Sequence, residues 1–543
     1  MNGRRAAADR RPSMIRAQGI LTIALSCFTA AGLAPSRSPQ QDALASQSTL
    51  QQTAAAIERG DLAAASRIVE PALKTHPADP VLHNLAGVIA AQQKQFERAE
   101  THFRTAIQLA PKNPAAYENL GRLYQERADV EPGVRTKALD VYTQLLDVDP
   151  ANIEALFQSG VLLALDRQFA ASRAALDRLP EAMKRSPQTL AFLAADFAAL
   201  GDATAARRAV DALTVHPALA EGDVLAAVPA LSGPAGDEIA ASMLEGLDRR
   251  GLASTRSLRP LATIQIRAGK FGEARQLLER VAAAEGASTP LLLELAKTAT
   301  RLKDYDGALG YLAHARALDP RSADVHFLFA MVCVEQNLGR EAYESMKKAI
   351  ELDPDNPLIN YAMGAIATNR HEPSESLPYF EKYVHLRPED PRGHFALGAA
   401  LFYSNLFDRA VPELERATRS PETATGGHYF LGRIARQMND LATARREIDR
   451  ALQLNAGLAD AWAELGLIQT RLEEYGAAEK SLERALAIDP DHYTASVNLA
   501  TLYAKTKDPR KDAQMARVAA LGEQRDERAQ AFLRIIKAVP YGQ

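Results

Sequence analysis

Cysteine is nearly absent from these 543 residues: there are two, Cys27 and Cys333. One isolated cysteine in the body of the chain excludes an intrachain disulfide framework there, so stability must come from packing. Aromatics make up only 6%, and tryptophan occurs once, at Trp462. No run of alternating β-branched residues marks a strand. Excess positive charge is missing too; the formal net charge is −3, which leaves no overall basic footprint for nucleic acid. Catalytic motifs are equally scarce. There is no GxxxxGK[ST] phosphate loop, no GxSxG and no CxxC, and His371-Glu372 continues as Pro373-Ser374-Glu375 rather than as HExxH. These absences lead to the expectation of no enzyme, no metal and no cofactor. What is abundant is alanine, the best helix former. With 47% apolar and 24% charged residues the chain reads as soluble, globular and all-α. It is too long for one compact core.

The first residues follow a different rule from the rest. Arg4, Arg5, Arg10, Arg11 and Arg16 make a basic segment, an apolar stretch runs from Ile20 to Phe28, and small residues follow at Ala30, Ala31 and Gly32. That is the three-part layout of a secretory signal peptide, with an apolar core short for a membrane span. We read residues 1–34 this way, which predicts an exported protein, periplasmic or associated with an outer membrane; the alternatives are an uncleaved anchor, or a disordered tail on a cytoplasmic chain. Cys27 follows Ala24-Leu25-Ser26, a weak lipoprotein box, and offers a possible membrane tether. One acyl chain alone anchors only marginally. Removing residues 1–26 takes away five Arg and one Asp and moves the net charge from −3 to −7. Residues 35–45, rich in Ser, Gln and Pro, read as a spacer.

From about residue 46 a period of 34 residues sets in. Its clearest copy is 460–490, DAWAELGLIQTRLEEYGAAEKSLERALAIDP, two amphipathic helices joined by a tight turn. Trp462, Leu465 and Gly466 mark the first helix, Tyr475 closes the turn, and Ala478, Leu482 and Ala485 face inward from the second. A small residue recurs in the first helix at Gly87, Gly121, Gly160, Ala194, Ala262, Ala296, Ala330, Gly364, Gly398, Gly432, Gly466 and Ala500. A second small series runs through Ala65, Ala99, Ala138, Ser172, Ala206, Ala240, Ala274, Ala308, Ala342, Ser376, Ala410, Ala444 and Ala478. Helix axes that cross this closely leave no room for a larger side chain.

Fourteen repeat starts follow, from residue 46 to residue 493. One step of 39 between Ala99 and Ala138 places five extra residues in the loop 126–137. The copy at 221–254 is damaged: Pro229 falls mid-helix and Val228 fills a small slot. Pro378 and Pro412 are expected in the first turn of a second helix, where proline is tolerated. The boundaries are therefore 46–220 for a first array, 221–254 for a degenerate repeat and possible hinge, 255–524 for a second array, and 525–543 for a capping helix and tail.

The W–L–G…A–F…P pattern at this period resembles the tetratricopeptide repeat, and the resemblance covers most of the chain. It implies an α-solenoid, a right-handed superhelix of helix-turn-helix units, with a concave groove lined by first helices. It also implies a non-enzymatic scaffold that binds a protein or peptide partner in that groove, in settings such as cell-envelope assembly, secretion or polysaccharide export. A carbohydrate- or polymer-handling envelope protein is the alternative. Asn119 and Asn498 occupy the asparagine slot of the family's chaperone-tail clamp, but Arg122 and Thr501 stand where a second asparagine is expected. That argues against such a clamp.

Within the groove, Phe327, Tyr361, Phe395 and Tyr429 share one first-helix slot in four consecutive repeats, with Phe402 and Tyr403 a turn further along. They read either as an aromatic ladder for a partner, since aromatic anchors dominate binding hot spots, or as packing against the preceding helix. Basic residues flank them: Arg256, Arg259, Arg267, Lys297 and Arg301 before, Arg433, Arg436 and Arg471 after. These suit an acidic or C-terminal segment of a partner, or else are solvated surface. His83, His326, His394 and His428 share the Trp462 slot one repeat apart and read as packing residues, because metal ligands must converge. The candidate partner-binding residues are thus Lys297, Arg301, Phe327, Tyr361, Phe395, Phe402, Tyr403, Tyr429, Arg433 and Arg436.

Overall fold

Many of the repeats begin where a side chain caps the first helix. Asp79, Asn113, Asn152, Ser322 and Asp390 each accept a backbone N–H from the first turn of the helix that follows, as in Val81 N to Asp79 Oδ1 at 2.8 Å. Proline opens several of these helices, at Pro80, Pro114, Pro187 and Pro391, where its missing N–H costs nothing. The computed structural model describes residues 39–128, 131, 133–369 and 373–522. Over those residues it holds twenty-nine α-helices and no strand: fourteen successive pairs plus the one-turn helix Glu181–Lys184. The protein is an all-α solenoid of helix-turn-helix repeats.

The chain divides between Gly269 and Lys270 into two compact units. The degenerate segment 221–254 lies inside the first. There the α-helix Glu221–Ala227 gives way to a single 3-10 turn, Val228–Ala230, which contains Pro229. The cause is the ring of Pro229, which removes a donor and blocks helical continuation. A long helix, Gly233–Arg249, then packs against the preceding pair, Pro187–Ala199 and Ala203–Val215, over the truncated first helix. The first helix of the array spans Pro39–Glu58 and so takes in part of the stretch read as spacer. Pro378 and Pro412 fall in the second turns of Pro373–Leu386 and Phe407–Ala417, not in the first turns, because both helices begin earlier than expected. The signal-peptide reading, Cys27 and the capping helix 525–543 lie outside the described residues.

The small slots are what let the pairs close. All thirteen members of the second-helix series are buried. In the first helices, a methyl added to Gly87, Gly160 or Gly466 would sit 2.5 Å from Phe103, Leu176 or Leu482 of the paired helix. Two further periodic features hold the repeats in place. A residue with left-handed φ recurs in the turn between paired helices: Gly60, Lys94, Arg167, Gly201, Lys303, Asn337, Asn405, Asn439, Glu473 and Lys507. The next residue donates its N–H five residues back, as in Gln95 N to Ala90 O at 2.8 Å, closing the first helix in a Schellman motif.

The second feature is at the Trp462 slot. Trp462 Nε1 donates to the carbonyl of Ala456, six residues back, at 2.9 Å. Tyr117, Asn360 and the imidazoles of His83, His326 and His394 reach the carbonyls of Pro111, Pro354, Pro77, Pro320 and Pro388 in the same way. In these six repeats the side chain in the slot ties the first helix to the end of the previous second helix, whereas Leu156, Leu190, Val224, Leu258 and Leu292 occupy it elsewhere.

In the second unit, first helices of neighbouring repeats also touch one another, as Pro391–Tyr403 does Ala424–Gln437 and Ala424–Gln437 does Ala459–Arg471. Second helices of neighbouring repeats there do so far less. First helices therefore line the tighter, inner side of that unit.

Candidate binding surface

All ten candidate residues belong to the second unit and to its first helices. The four residues of the shared slot do not behave alike. Tyr361 and Tyr429 are buried at 8% and 7% exposure, while Phe327 and Phe395 are half-buried. They do not stack on one another. Tyr361 packs edge-on to Phe380, ring centroids 5.7 Å apart, and against Tyr383 at 5.0 Å, both on its own second helix. Burial pushes the Tyr361 phenol up to about 12. Phe327 packs into the core built around Met331, Met346 and Met363.

Phe395 and Tyr429 instead meet at a common centre, Phe430. Its ring lies 5.9 Å from Phe395, 5.2 Å from Phe402, 5.9 Å from Tyr403 and 5.4 Å from Tyr429. Gly426 makes this possible, because a Cβ there would lie 2.5 Å from Cε2 of Phe395. Phe430 stands outside the aromatic slot, one residue after Tyr429, which is why slot-by-slot reading passes over it.

Arg433 sits one turn after Tyr429 on Ala424–Gln437. Its guanidinium carbon lies 4.5 Å from the centre of Phe402, 5.5 Å from Tyr429 and 5.8 Å from Phe430. This is a cation held among ring faces. Arg436, on the same helix, pairs with the Glu464 carboxylate. Arg471 donates to the Arg436 carbonyl. Arg301 and Lys297 are exposed, and the Arg301 guanidinium lies 4.9 Å from the Phe271 ring. Of the basic residues in the first unit, Arg267 makes a two-pronged pair with Asp237 at 2.6 and 2.9 Å. The second-unit candidates thus separate into an aromatic and arginine cluster at 395–436 and an outlying pair, Lys297 and Arg301.

The same face of the first unit is built from different chemistry. Asn119 donates to Asn84 at 3.0 Å, Arg122 pairs with Glu154 at 2.8 Å, Gln125 donates to Gln158 at 2.7 Å, and Asn152 reaches Glu118. Burial holds the Glu118 carboxyl above its ordinary range, against the Asn152 hydrogen bond. This polar ladder also escaped slot-by-slot reading, although its signal was present: polar side chains at the inner-face spacing in three consecutive repeats.

No group of three or more His, Cys, Asp or Glu among the described residues is placed to hold a metal ion. The histidines of the Trp462 slot are committed elsewhere. Nδ1 of His394 faces Glu413 at 2.5 Å, and Nδ1 of His428 faces Glu447 at 2.8 Å.

Models of the tetratricopeptide repeat match residues 54–124, 265–328, 299–366, 361–425 and 459–492. No curated protein matches the sequence. Among solved structures, a chain of the APC/C hetero-tetramer Cut9–Hcn1 is 15% identical, with 84% of this chain and 95% of that chain covered and a TM-score of 0.37. A chain of Naa15/Naa10 bound to HypK is also 15% identical, with 87% and 99% covered and a TM-score of 0.35. YrrB, a TPR protein with an unusual peptide-binding site, is 20% identical, with 42% and 97% covered and a TM-score of 0.28.

Proposed function

Because this is a tetratricopeptide-repeat protein, we propose that it is a non-enzymatic scaffold that binds a protein partner along the first-helix face of its second unit. The observation that carries this reading is the cluster at 395–436. There, aromatic rings and an arginine gather on the inner side of the repeats, beyond what the small-slot packing of each helix pair needs. The occupant is an extended peptide or a helix laid along that face. Flat stacking on a sugar requires an open ring face, and the burial of Tyr361 and Tyr429 disfavours the polymer-handling alternative. We place the protein in a bacterial cell envelope, exported through residues 1–34, with Cys27 as a possible lipid tether.

A photo-crosslinking amino acid at Phe395 or Tyr403, compared with one at Arg445 on the opposite second helix, tests the binding face in the native host. The same partner is expected from both inner positions and not from Arg445. Crosslinks confined to Arg445 overturn the reading. Export is tested separately by sequencing the N-terminus of the protein from its host. A chain that retains residues 1–30 defeats it.

A further inference from the structure

We propose that Arg433 is the receptor for a carboxylate of an acidic, aromatic-bearing segment of a protein partner, a reading that rests on the first-helix face being the binding surface. The inference starts from charge pairing. The carboxylates nearest Arg433 are already engaged: Glu464 with Arg436, and Asp460 with the Nε2 of His492 at 3.2 Å. A little further along the array, Arg392 takes both oxygens of Asp390. Arg433 has no carboxylate partner among the described residues: its guanidinium hydrogen-bonds the neutral Tyr403 hydroxyl, and its Nε is buried with no acceptor.

A cation withdrawn from water without a counter-ion is costly. Ring faces offset part of that cost, and Phe402, Tyr429 and Phe430 supply them. They satisfy the face of the guanidinium and leave its edge, where the N–H groups lie, without an acid. A planar cation fixed by rings, with a neutral hydroxyl but no acid at its edge, is pre-organised for a carboxylate, which Lys does not reproduce. Arg471, on the next first helix, also lacks a carboxylate among the described residues and adds positive charge beside the same helix end. The half-buried Phe395 and Tyr403 rings border the cluster and offer apolar area to a neighbouring aromatic of the partner.

The test is selection of a random dodecapeptide phage library on the full chain, followed by affinity measurement of the best peptide and its Glu/Asp-to-Gln/Asn analogue. The expected peptides carry an acidic residue next to an aromatic. Neutralising that acid should cost about tenfold to a hundredfold in affinity, the span of a charge-assisted hydrogen bond. R433Q should bind both peptides equally, R433K should recover only part of the loss, and far-UV circular dichroism checks that both variants fold. The peptide swap on the unaltered chain tests the proposal even if a variant does not fold. Peptides without an acid that bind the unaltered chain and R433Q alike, yet are lost in Phe395→Ala, overturn the carboxylate receptor and leave the binding face standing. Peptides indifferent to Phe395→Ala, or no enriched peptide at all, overturn both.

Discussion

Replacing Gly364 by alanine tests whether the small slot is set by its paired side chain. Gly364 lies on Pro357–Asn369 where that helix crosses Pro373–Leu386. A Cβ there would stand 2.7, 2.8 and 2.9 Å from three ring carbons of Phe380. Carbon atoms prefer about 3.5–4.0 Å, so the ring or the helix must retreat by roughly an ångström. Phe380 is fully buried and braced edge-on by Tyr361, which leaves the ring nowhere to go. Overpacking of this kind costs about 1–3 kcal/mol, and the better helix propensity of alanine returns about 1 kcal/mol. The expected net loss is about 0–2 kcal/mol, set by those two opposing terms, and towards the upper end because the ring is braced. The repeats also predict the remedy. Where the slot holds alanine, at Ala194, Ala262, Ala296 and Ala330, the residue sixteen positions on is Val210, Leu278, Leu312 or Met346; the aromatics Phe103 and Phe380 stand opposite glycine. Gly364→Ala combined with Phe380→Leu should therefore be more stable than the single changes add up to, by about 1–2 kcal/mol of coupling. Stability in repeat arrays is largely a sum of local terms, so the readout is native-state hydrogen exchange in these two helices alongside urea unfolding. Protection in Gly364→Ala equal to that of the unaltered chain, or no coupling in the double change, refutes the reasoning.

Lys303 and Glu473 hold left-handed φ of 61° and 63° in turns where glycine is free of the Cβ penalty. Lys303→Gly and Glu473→Gly should each raise stability by about 0.5–1 kcal/mol in urea titrations; a loss at both sites would contradict the strain account. Asp196 is buried, and burial, opposed by the Ser172 hydrogen bond, pushes its carboxyl up to about 7. Its folded pKa is thus raised above the unfolded value, so its contribution is fully present below about pH 4 and is lost as pH rises through 7; Asp196→Asn should remove that dependence and stabilise the fold at pH 8 by more than at pH 4, and an unchanged pH profile of unfolding would count against it. The Cys333 thiol, pushed up to about 11 by burial, should stay unreactive towards Ellman's reagent at pH 8 until the chain unfolds. Modification faster than unfolding would show the site to be open.

The fold was legible because its determinants are periodic and local. Thirteen small residues and a 34-residue spacing specify where helices cross, and both follow from excluded volume alone. The binding surface was less legible because a slot names a position, not a neighbour. Phe327, Tyr361, Phe395 and Tyr429 share a slot, yet Tyr361 turns to Tyr383 while Phe395 and Tyr429 turn to Phe430. The difference comes from residues outside the slot. Gly426 admits the Phe395 ring, and Phe380 and Tyr383 engage Tyr361 from its own second helix. The second turns that hold Pro378 and Pro412 were misplaced for a related reason: helix starts depend on capping and packing at the ends, which periodicity does not register.

The Trp462 slot shows how scaffold and variation separate. If the slot demanded tryptophan for its bulk, the copies carrying Asn360 or His394 would leave holes. In those copies a polar hydrogen instead reaches the carbonyl six residues back, at 2.8–3.1 Å from His, Tyr, Asn and Trp alike, while Leu156, Leu190, Val224, Leu258 and Leu292 fill the slot with apolar side chains. One residue further on, no such bond recurs, and the side chains diverge: Asn84 and Glu118 enter a polar ladder in the first unit, and Phe395 and Tyr429 an aromatic cluster in the second. A position free of the scaffold's recurring hydrogen bond is where side-chain chemistry can vary from repeat to repeat. The polar stretch with Asn84 and Glu118 and the aromatic stretch with Phe395 and Tyr429 differ in chemistry at that position, so they are expected to select different segments. Ala at Phe395 and Tyr429 should then leave untouched any partner that depends on Asn84 and Arg122.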